Sequence, residues 1–394
     1  MESGGQAGEN HYVTRVLHGW SELPEADWDG LLALAPDPSP FARHAYLSAL
    51  TASGSATPDT GWTPRIVTLW QGDRLQAACA IYLKTHSYGE YVFDWAWADA
   101  YARHGLRYYP KALVAVPFTP VPGARLLAVD GQARAALLKA LPAWCEAQGL
   151  SSLHLLFVQP DDVASCESAG LMLRHTVQFH WTNEGPAPWT TWDDFLASLQ
   201  QEKRKKIRQE RRKVDEAGVR FRHAEGRAIS DADWAFFYRC YERTYLEHGN
   251  APYLTPDFFA RMAAHMPENW LMFVAERNGQ PIASSLIGID PTHRVAYGRY
   301  WGALELVDCL HFEACYYQPL QWCINHGYRR FEGGAQGEHK MSRALLPVKT
   351  TSAHWLAHPA FAEAVDRFLE REGEGVAQYL DHLAARSPLK SGAG

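Results

Sequence analysis

The chain has 394 residues, of which 47% are hydrophobic and 21% are charged, so it has the composition of a globular protein long enough for two or three domains. Its net charge of −6 excludes a general attraction to nucleic acid or to an anionic membrane, and any such contact must be local. The lack of a long apolar run and the seven scattered cysteines argue against a membrane-spanning helix and a disulfide framework, so we expect a cytoplasmic protein with free thiols and no membrane insertion.

The first half of the chain predicts helices and strands in alternation. Residues 1–20 begin with small polar residues and are expected to be disordered. Apolar spacing predicts two helices separated by three prolines, and then a hairpin that turns at Gly72. A strand, a helix closed by Gly149 and a buried strand follow. The predicted helices cover residues 21–34, 41–52 and 133–148, and the predicted strands cover residues 65–70, 75–84, 91–97 and 153–158.

The second half repeats this order, which indicates an internal duplication. Helices, antiparallel strands and a helix-plus-strand crossover predict a mixed α/β layer arrangement in each copy. The matched positions are Gly72 with Gly279, Trp97 with Trp301, and residues 144–153 with residues 322–331. We therefore predict an N-terminal domain over residues 21–185, a linker over residues 186–218, a C-terminal domain over residues 219–386 and a disordered tail over residues 387–394.

The linker contains a predicted helix over residues 201–218 with eight basic residues in eleven. Two interpretations have equal weight. The helix is either a solvated connection whose charges are balanced elsewhere, or an anion-facing helix for a phosphate, a pyrophosphate-bearing donor or an RNA backbone. The segment lacks the interleaved aromatic residues that stack on bases, which argues against sequence-specific RNA recognition. The basic residues are Lys203, Arg204, Lys205, Lys206, Arg208, Arg211, Arg212 and Lys213.

A glycine-rich polar segment over residues 331–347 is the strongest candidate for a functional site. It follows a predicted helix over residues 312–326 and a short predicted strand, and loops beyond strand ends often carry the sites of α/β proteins. The alternative is a solvated loop with charged ends, but the many nearby Trp and Tyr residues favour a lined cleft. Its candidate residues are Gln336, Gly337, Glu338, His339, Lys340 and Arg343.

Several sequence blocks resemble one protein family. The blocks are SPFARH at 39–44, YLKTHSYGEYVFDW at 82–95, YPK at 109–111, VPFTPV at 116–121, QFHW at 178–181, GRYWG at 298–302, HFEACYY at 311–317, GAQGEHK at 334–340 and SAHW at 352–355. With the basic helix, they resemble the FemAB-like proteins of the GNAT superfamily from about residue 28 to residue 383. The resemblance implies two tandem, fused GNAT-like domains of mixed α/β (α+β) type.

The resemblance also implies acyl transfer to an amine, with acyl-CoA or aminoacyl-tRNA as co-substrate, no tightly bound cofactor and no metal. GNAT enzymes hold the donor pyrophosphate with a Q/R-x-x-G-x-G/A loop at a helix start. Arg299 and Gly302 match this pattern, whereas Leu304 stands where a small residue belongs, so the donor stays open. The candidate substrate- and donor-binding residues are Arg299, Trp301, Gly302, Gln336, Gly337, Arg343, Lys84, His86 and Asp94, and the candidate tRNA contacts are Lys203, Arg204, Lys206, Arg208, Arg211 and Arg212.

Acyl transfer to an amine needs a base, a group that stabilises the developing oxyanion and a proton donor for the leaving group. Glu338 or Glu313 is a candidate base, His339 a candidate base or acid, and Lys340 a candidate stabilising charge. Each of them taken alone is more often structural. A second hypothesis is therefore a degenerate transferase that binds a peptidoglycan-type or peptide ligand without turnover. Metal, nucleophile-elbow and nucleotide fingerprints are missing from the sequence.

Overall fold

The computed structural model describes residues 11–185, 187–335 and 337–390, so Gln336 lies outside the described residues. The strands are, in chain order, β1 (Val13–Leu17), β2 (Trp62–Gln71), β3 (Arg74–Lys84), β4 (Lys111–Val114), β5 (Leu127–Ala128), β6 (Ser152–Leu155), β7 (Met172–Thr182), β8 (Val219–Glu225), β9 (Trp270–Arg277), β10 (Gln280–Asp290), β11 (Val295–Ala303), β12 (Arg330–Glu332) and β13 (Leu346–Leu356). The helices are α1 (Glu25–Leu32), α2 (His44–Ala52), α3 (Trp95–Arg103), α4 (Gly131–Ala147), α5 (Pro160–Ser168), α6 (Trp192–Ser198), α7 (Gln201–Glu216), α8 (Asp231–Glu247), α9 (Pro256–His265), α10 (Leu310–Phe312), α11 (Gln318–Asn325) and α12 (Pro359–Ala384). A π-helical turn, Glu313–Tyr317, joins α10 to α11.

The described residues form two compact units that interleave along the chain. Unit 1 comprises the described residues up to Ser48, then Ala56–Arg174 and Thr351–Leu369. Unit 2 comprises Ala49–Ser55, His175–Thr350 and the described residues from Glu370 onward. The linear domain boundaries given above remain predictions.

Unit 1 is built on a mixed sheet in the order β1-β2-β3-β4-β6-β13. The hairpin β2–β3 turns at Gly72, whose φ of 60° lies in the left-handed region that glycine adopts without strain. The strands β4 and β6 pair in parallel, and the other pairs along this order are antiparallel. Apolar faces of α4 and of the central strands meet in a core that includes Leu137, Leu141 and Leu153. Burial of these side chains is the main stabilising contribution to the unit.

Unit 2 repeats the same strand order, as β8-β9-β10-β11-β12-β7. Its hairpin β9–β10 turns at Gly279, β11 and β12 pair in parallel, and β12 pairs with β7 in antiparallel fashion. The predicted mixed α/β fold and its duplication are confirmed. In each unit the last strand of the order comes from the other half of the sequence, because β13 joins unit 1 and β7 joins unit 2.

One predicted correspondence is wrong. Residues 91–97 were expected to form a strand, and Trp97 was paired with Trp301 of β11, but α3 begins at Trp95 and the counterpart of β11 is β4. The alternation of aromatic with buried residues imitates a strand. Residues 91–94 form a loop instead, because the buried Lys111 binds Glu90 and Asp94 and holds them in place.

Both ends of the described chain form β-type backbone pairs. Residues 13–17, within the segment predicted to be disordered, form β1 and pair with β2. Leu389 forms a single β-bridge with Leu199, within the predicted tail. Among the residues that the structure describes, no helix is both long and apolar enough to cross a membrane.

Candidate active site

A small cavity marks the place in unit 2 where two parallel strands diverge. The pairing of β11 with β12 ends at Tyr297 and Glu332. Beyond these residues β11 continues as a strand, whereas the segment that follows β12 turns away from it. The cavity between them has a volume of about 150 Å³. Its lining residues are Ser285, Ile287, Gly298, Arg299, Tyr300, Trp301, His311, Cys315, Tyr316, Phe331 and Gly333.

The β11 wall of the cavity is shaped by a β-bulge at Arg299. Gly298 faces Ile287 of β10 and Tyr300 faces Leu286, so Arg299 is the extra residue. A bulge re-aims the side chains around it, which is why bulges are common beside functional sites. The structure thus places Arg299 and Trp301 in the wall of the cavity, on a strand and not in a loop at a helix start.

Gly302 has a packing function in this arrangement. A Cβ atom at this position would lie 1.9 Å from the carbonyl oxygen of Cys240 on α8, so only glycine lets this helix lie against β11. This close approach explains why glycine stands at position 302, and no contact with an acyl donor is needed to explain it.

The helix wall of the cavity comes from α10 and the π-helical turn. A π turn displaces side chains from α-helical positions, and such turns are frequent at functional sites. The buried hydroxyl of Ser285 donates a hydrogen bond of 2.6 Å to the carbonyl of Ala314 in this turn. The turn points Cys315 and Tyr316 into the lining, next to His311.

The predicted glycine-rich segment packs beside this wall. The Tyr316 hydroxyl and His339 Nε2 are 3.4 Å apart. Lys340 is buried, and its Nζ donates hydrogen bonds to the carbonyls of Gly333 at 2.5 Å and Gly334 at 3.4 Å. Gly333 lines the cavity, so the Lys340 charge lies directly behind the wall.

Gly337 makes room for the His339 ring. Its φ is 97°, and a Cβ atom there would come within 2.2 Å of the imidazole. Another residue at this position would be strained and would also push the ring away from Tyr316.

Arg343 holds the glycine-rich segment in place through buried hydrogen bonds. The guanidinium is fully buried and donates hydrogen bonds of 2.7 Å to a carboxylate oxygen of Glu210 and 2.6 Å to the carbonyl of His339. It also lies 3.7 Å above the centre of the Phe312 ring. Tyr317 donates a further hydrogen bond to Glu210, which completes the pairing of that buried carboxylate. Arg343 therefore positions His339 through its backbone.

The titratable groups of the site are shifted toward their neutral forms. Burial, followed by the neighbouring His339 and the positive charges of Arg343 and Lys340, lowers the pKa of His311 to about 4. Burial, then Arg343 and Lys340, also hold the pKa of His339 below its usual value. Burial lowers the pKa of Lys340 to about 8. At neutral pH the His311 imidazole is therefore uncharged and the lowered pKa of His339 favours its neutral form, while most of the lysine remains protonated.

Two predicted carboxylates are engaged elsewhere. Glu313 is buried and accepts hydrogen bonds from Arg211, with the closest contact at 2.9 Å, and from Gln318 at 2.7 Å. Burial raises the pKa of Glu313, and the charge of Arg211 opposes that shift. Glu338 is exposed and accepts hydrogen bonds from Tyr379 at 3.0 Å and Arg386 at 3.1 Å. Neither side chain lines the cavity.

The other predicted residues, Lys84, His86 and Asp94, belong to unit 1. Lys84 and Asp94 are part of a buried ionic cluster, which we define as Lys84, Glu90, Asp94, Lys111, His154 and His354. His86 lies nearer the surface, where its Nε2 is 3.0 Å from the carbonyl of Thr60.

Lys111 is the centre of the buried ionic cluster. Its Nζ donates hydrogen bonds to Glu90 at 2.7 Å and to Asp94. His154 Nδ1 and His354 Nδ1 are 2.8 Å apart. Burial raises the pKa of Glu90 to about 7 and lowers that of His154 to about 3.

The basic helix is confirmed as α7, and its two faces differ. Ile207, Glu210 and Val214 are buried, and Arg211 and Lys213 pair with Glu313 and Asp308. Four further basic side chains form no ion pair with any described residue, and the spacing of three of them at i, i+4 and i+8 places them on one face. We call this set the basic stripe; it consists of Arg204, Lys205, Arg208 and Arg212.

Within the described ranges, no group of three or more His, Cys, Asp or Glu residues is arranged to hold a metal ion.

Comparison with known proteins agrees with this architecture. A model of the FemAB-like family, described as peptidoglycan biosynthesis/recognition proteins, matches residues 19–391. The chain belongs to this family. No curated protein matches the sequence of this FemAB-like chain.

The chain is similar to several solved structures at low sequence identity, and the first of them shows the fold that it shares. The crystal structure of FemX has a TM-score of 0.53 and 10% identity, and the match covers 89% of this chain and 100% of FemX. The L-PGS structure from Bacillus licheniformis has a TM-score of 0.49 and 11% identity, covering 85% and 98% of the two chains. A tandem GNAT protein from the clavulanic acid biosynthesis pathway has a TM-score of 0.43 and 12% identity, covering 89% and 99%.

Sequence reasoning missed several residues of the site. His311 and Tyr316 were noted only as part of the family block at 311–317, with His311 just before the predicted helix over residues 312–326 and Tyr316 within it. Sequence reasoning also missed Glu210 of α7. It is the only acid among residues 203–213 and lies at the helical spacing of Ile207 and Val214, which was the available signal for a buried partner.

Proposed function

We propose that the protein is an N-acyltransferase that moves an acyl or aminoacyl group from acyl-CoA or aminoacyl-tRNA to an amine of a peptidoglycan-type acceptor. The observation that carries the proposal is the cavity between the diverging strands β11 and β12, with Tyr316 in its wall and His339 and Lys340 directly behind that wall. Membership of the FemAB-like family supports the peptidoglycan-type acceptor.

The Tyr316–His339 pair supplies a path for the proton. An attacking amine loses a proton as its nitrogen bonds to the acyl carbon. The Tyr316 hydroxyl lines the cavity, and the neutral imidazole of His339 lies 3.4 Å behind it. The tyrosine passes the proton to His339, and the resulting imidazolium returns it to the leaving group of the donor.

Lys340 supplies the positive charge. The tetrahedral intermediate carries an oxyanion, and a charge held in a buried position stabilises it more strongly than a charge in water. Lys340 is fixed by the carbonyls of Gly333 and Gly334 and is mostly protonated at neutral pH, since its pKa is about 8.

The basic stripe of α7 is proposed as a contact for the donor when the donor is aminoacyl-tRNA. Exposed cations without acidic partners release counterions from a polyanion, and this makes binding depend on salt. The variant with Arg204→Ser, Arg208→Ser and Arg212→Ser is expected to reduce the slope of log affinity against log salt by as much as about three. Lys213→Ser is the control, because Lys213 is already paired with Asp308.

A thermal-shift screen tests the proposed function. The purified chain is heated with acetyl-CoA, longer acyl-CoAs, aminoacyl-tRNA or uncharged tRNA at two salt concentrations. A ligand at a hundred times its Kd adds about 2.7 kcal/mol of stability, which a melting curve resolves. A shift with acyl-CoA identifies an acyl donor, and a salt-sensitive shift with charged tRNA identifies an aminoacyl donor. Stabilisation by none of them contradicts the transferase and favours the binding-protein alternative.

A further inference from the structure

Arg299 gives the cavity of unit 2 a positive charge. Its side chain is half-buried in the cavity wall, and its Nη2 donates a hydrogen bond of 3.1 Å to the Tyr300 hydroxyl. Three other lining side chains are uncharged at neutral pH, because burial lowers the pKa of His311 to about 4 and raises the pKa values of Cys315 and Tyr316. Among the described residues that line the cavity, Arg299 is therefore the only one that is charged.

The acidic side chains around the cavity do not offset this charge inside it. Six carboxylates on or next to the cavity-forming segments each contact a lysine or an arginine, and none of them lines the cavity; they are Glu210, Glu305, Asp308, Glu313, Glu332 and Glu338. Lys340, which binds the Gly333 carbonyl directly behind the wall, adds a second positive charge. A ligand group in the cavity thus meets cations and no carboxylate of the described lining.

The size of the cavity limits what it can hold. Its volume is about 150 Å³, which is the space of roughly five water molecules at about 30 Å³ each. A short acyl group of a few carbon atoms fits this space, and a long acyl chain does not. The reacting carbonyl of such a group would lie near the Tyr316 hydroxyl, with the rest of the group in the cavity.

Charge then decides which short acyl group is preferred. The ammonium of an aminoacyl group would lie beside Arg299 without a carboxylate to pair with, and an unpaired buried cation is costly. A carboxylate would instead pair with the guanidinium, whose planar donors match the two oxygens of a carboxylate. The cavity therefore favours an acyl group that ends in a carboxylate and disfavours one that carries an ammonium.

We propose that the group transferred at this site is a short dicarboxylic acyl group, such as succinyl, whose free carboxylate binds Arg299. This inference rests on the proposed function and narrows its donor to an acyl-CoA. The acceptor nitrogen bonds to the thioester carbon, the carbon–sulfur bond breaks, and the proton that the amine loses is returned to the thiolate of coenzyme A. The free carboxylate is unchanged in this step and orients the thioester for attack.

Isothermal titration of the full chain with succinyl-CoA and with butyryl-CoA tests the inference. Both donors have a four-carbon acyl group on the same carrier, so they differ only in a terminal carboxylate or methyl group. We expect succinyl-CoA to bind at least about tenfold more tightly, because it gains a charge-assisted hydrogen-bonded pair. Arg299→Gln should bring the ratio of the two Kd values close to one, and Arg299→Lys should keep part of the preference.

The matched control is Arg227→Gln, which removes an exposed arginine of unit 2 that does not line the cavity. It should keep the wild-type ratio of Kd values. Circular dichroism and melting temperature confirm that each variant is folded, and the wild-type ratio decides the question even if Arg299→Gln does not fold.

The possible results separate this inference from the proposed function. Equal or weaker binding of succinyl-CoA by the wild type overturns the inference and leaves an acyltransferase with a different acyl group. A wild-type ratio in folded Arg299→Gln also overturns it, as does binding of aminoacyl-tRNA with neither CoA ester. Binding of none of these donors contradicts the transferase itself.

Discussion

The two units have the same strand order, but they use their parallel strand pairs differently. In unit 2 the parallel pair β11–β12 diverges and leaves a cavity of about 150 Å³. In unit 1 the parallel pair β4–β6 carries Lys111 and His154 into the buried ionic cluster, where both are buried. One scaffold thus supports an open site in one copy and a closed set of paired charges in the other.

The strand order alone therefore does not decide which unit carries a candidate active site. The unit 2 site keeps Tyr316, His339 and Lys340 beside a cavity that is open to a ligand, whereas unit 1 uses its ionisable groups on each other. Buried pairs of this kind cost desolvation, so they stabilise only while every partner is present.

Removing Lys111 should be the most damaging change to unit 1. Lys111→Met leaves Glu90 and Asp94 buried without their shared cation and should lower the free energy of unfolding by about 3–5 kcal/mol. Urea denaturation measures the loss. Arg103→Met is the control, because it breaks an exposed pair with Asp99 and should cost less than about 1 kcal/mol. Equal costs for the two variants would contradict the view of the cluster as buried and mutually paired.

Gly302→Ala should destabilise the protein through packing. The new Cβ would clash with the Cys240 carbonyl, and the repair of such overpacking costs about 1–3 kcal/mol. Gly373→Ala, where a Cβ meets open space on α12, should be neutral or slightly stabilising. A stable Gly302→Ala protein that has lost donor binding would restore the donor-loop interpretation of this residue.

Glu90 should contribute a loss of stability to unit 1 as the pH rises from about 5 to 7, while His154 and His354, whose pKa values are lowered by burial, contribute the opposite trend. Glu90 has its pKa raised by burial from 4.5 to about 7, so its contribution is fully present below 4.5 and is lost as the pH rises through 7. The expected loss is about 1–3 kcal/mol, given 1.36 kcal/mol for each unit of pKa. Denaturation at a series of pH values measures it. Glu90→Gln removes this contribution and keeps both histidines, so its stability relative to the wild type should rise by that amount between pH 5 and 7. A difference between the two proteins that stays constant with pH would count against Glu90 as the source.

The transfer rate should fall at alkaline pH because Lys340 loses its proton. With a pKa of about 8, the protonated fraction drops roughly tenfold for each pH unit above that value. Lys340→Arg keeps a positive charge over this range, so its residual activity should lose the alkaline limb. If the rate of Lys340→Arg still falls at alkaline pH, a group other than Lys340 causes that fall.

Glu338→Gln should have the smallest effect. Its carboxylate makes exposed contacts with Tyr379 and Arg386, which are worth less than about 1 kcal/mol. We expect activity within about twofold of the wild type in the same transfer assay. A hundredfold loss of activity would instead support Glu338 as the general base.

Local patterns in the sequence predicted much of this molecule. The turns at Gly72 and Gly279, the helix–turn–strand segments and the basic helix all depend on neighbouring residues, and all are present. The glycine-rich segment was also predicted as part of a site, and the structure places Lys340 and His339 beside the cavity.

The rest depends on contacts between distant residues. The exchange of last strands pairs β13 with β6 and β7 with β12, across about two hundred residues of sequence in the first case, and no local pattern encodes such pairing. Lys111 reaches Glu90 and Asp94 only after the loop folds, so the alternating aromatic residues there imitated a strand. The π turn that points Tyr316 into the cavity has no sequence signature that periodicity detects.

The central claim is that the cavity beside Tyr316 and His339 is the site of acyl transfer. The most direct test measures, by mass spectrometry, the transfer from the donor found by thermal shift to a lysine-bearing peptidoglycan peptide. Tyr316→Phe and His339→Gln should lower the rate by about 10²-fold or more while the donor still shifts the melting temperature as in the wild type. Wild-type rates in both variants would contradict the account.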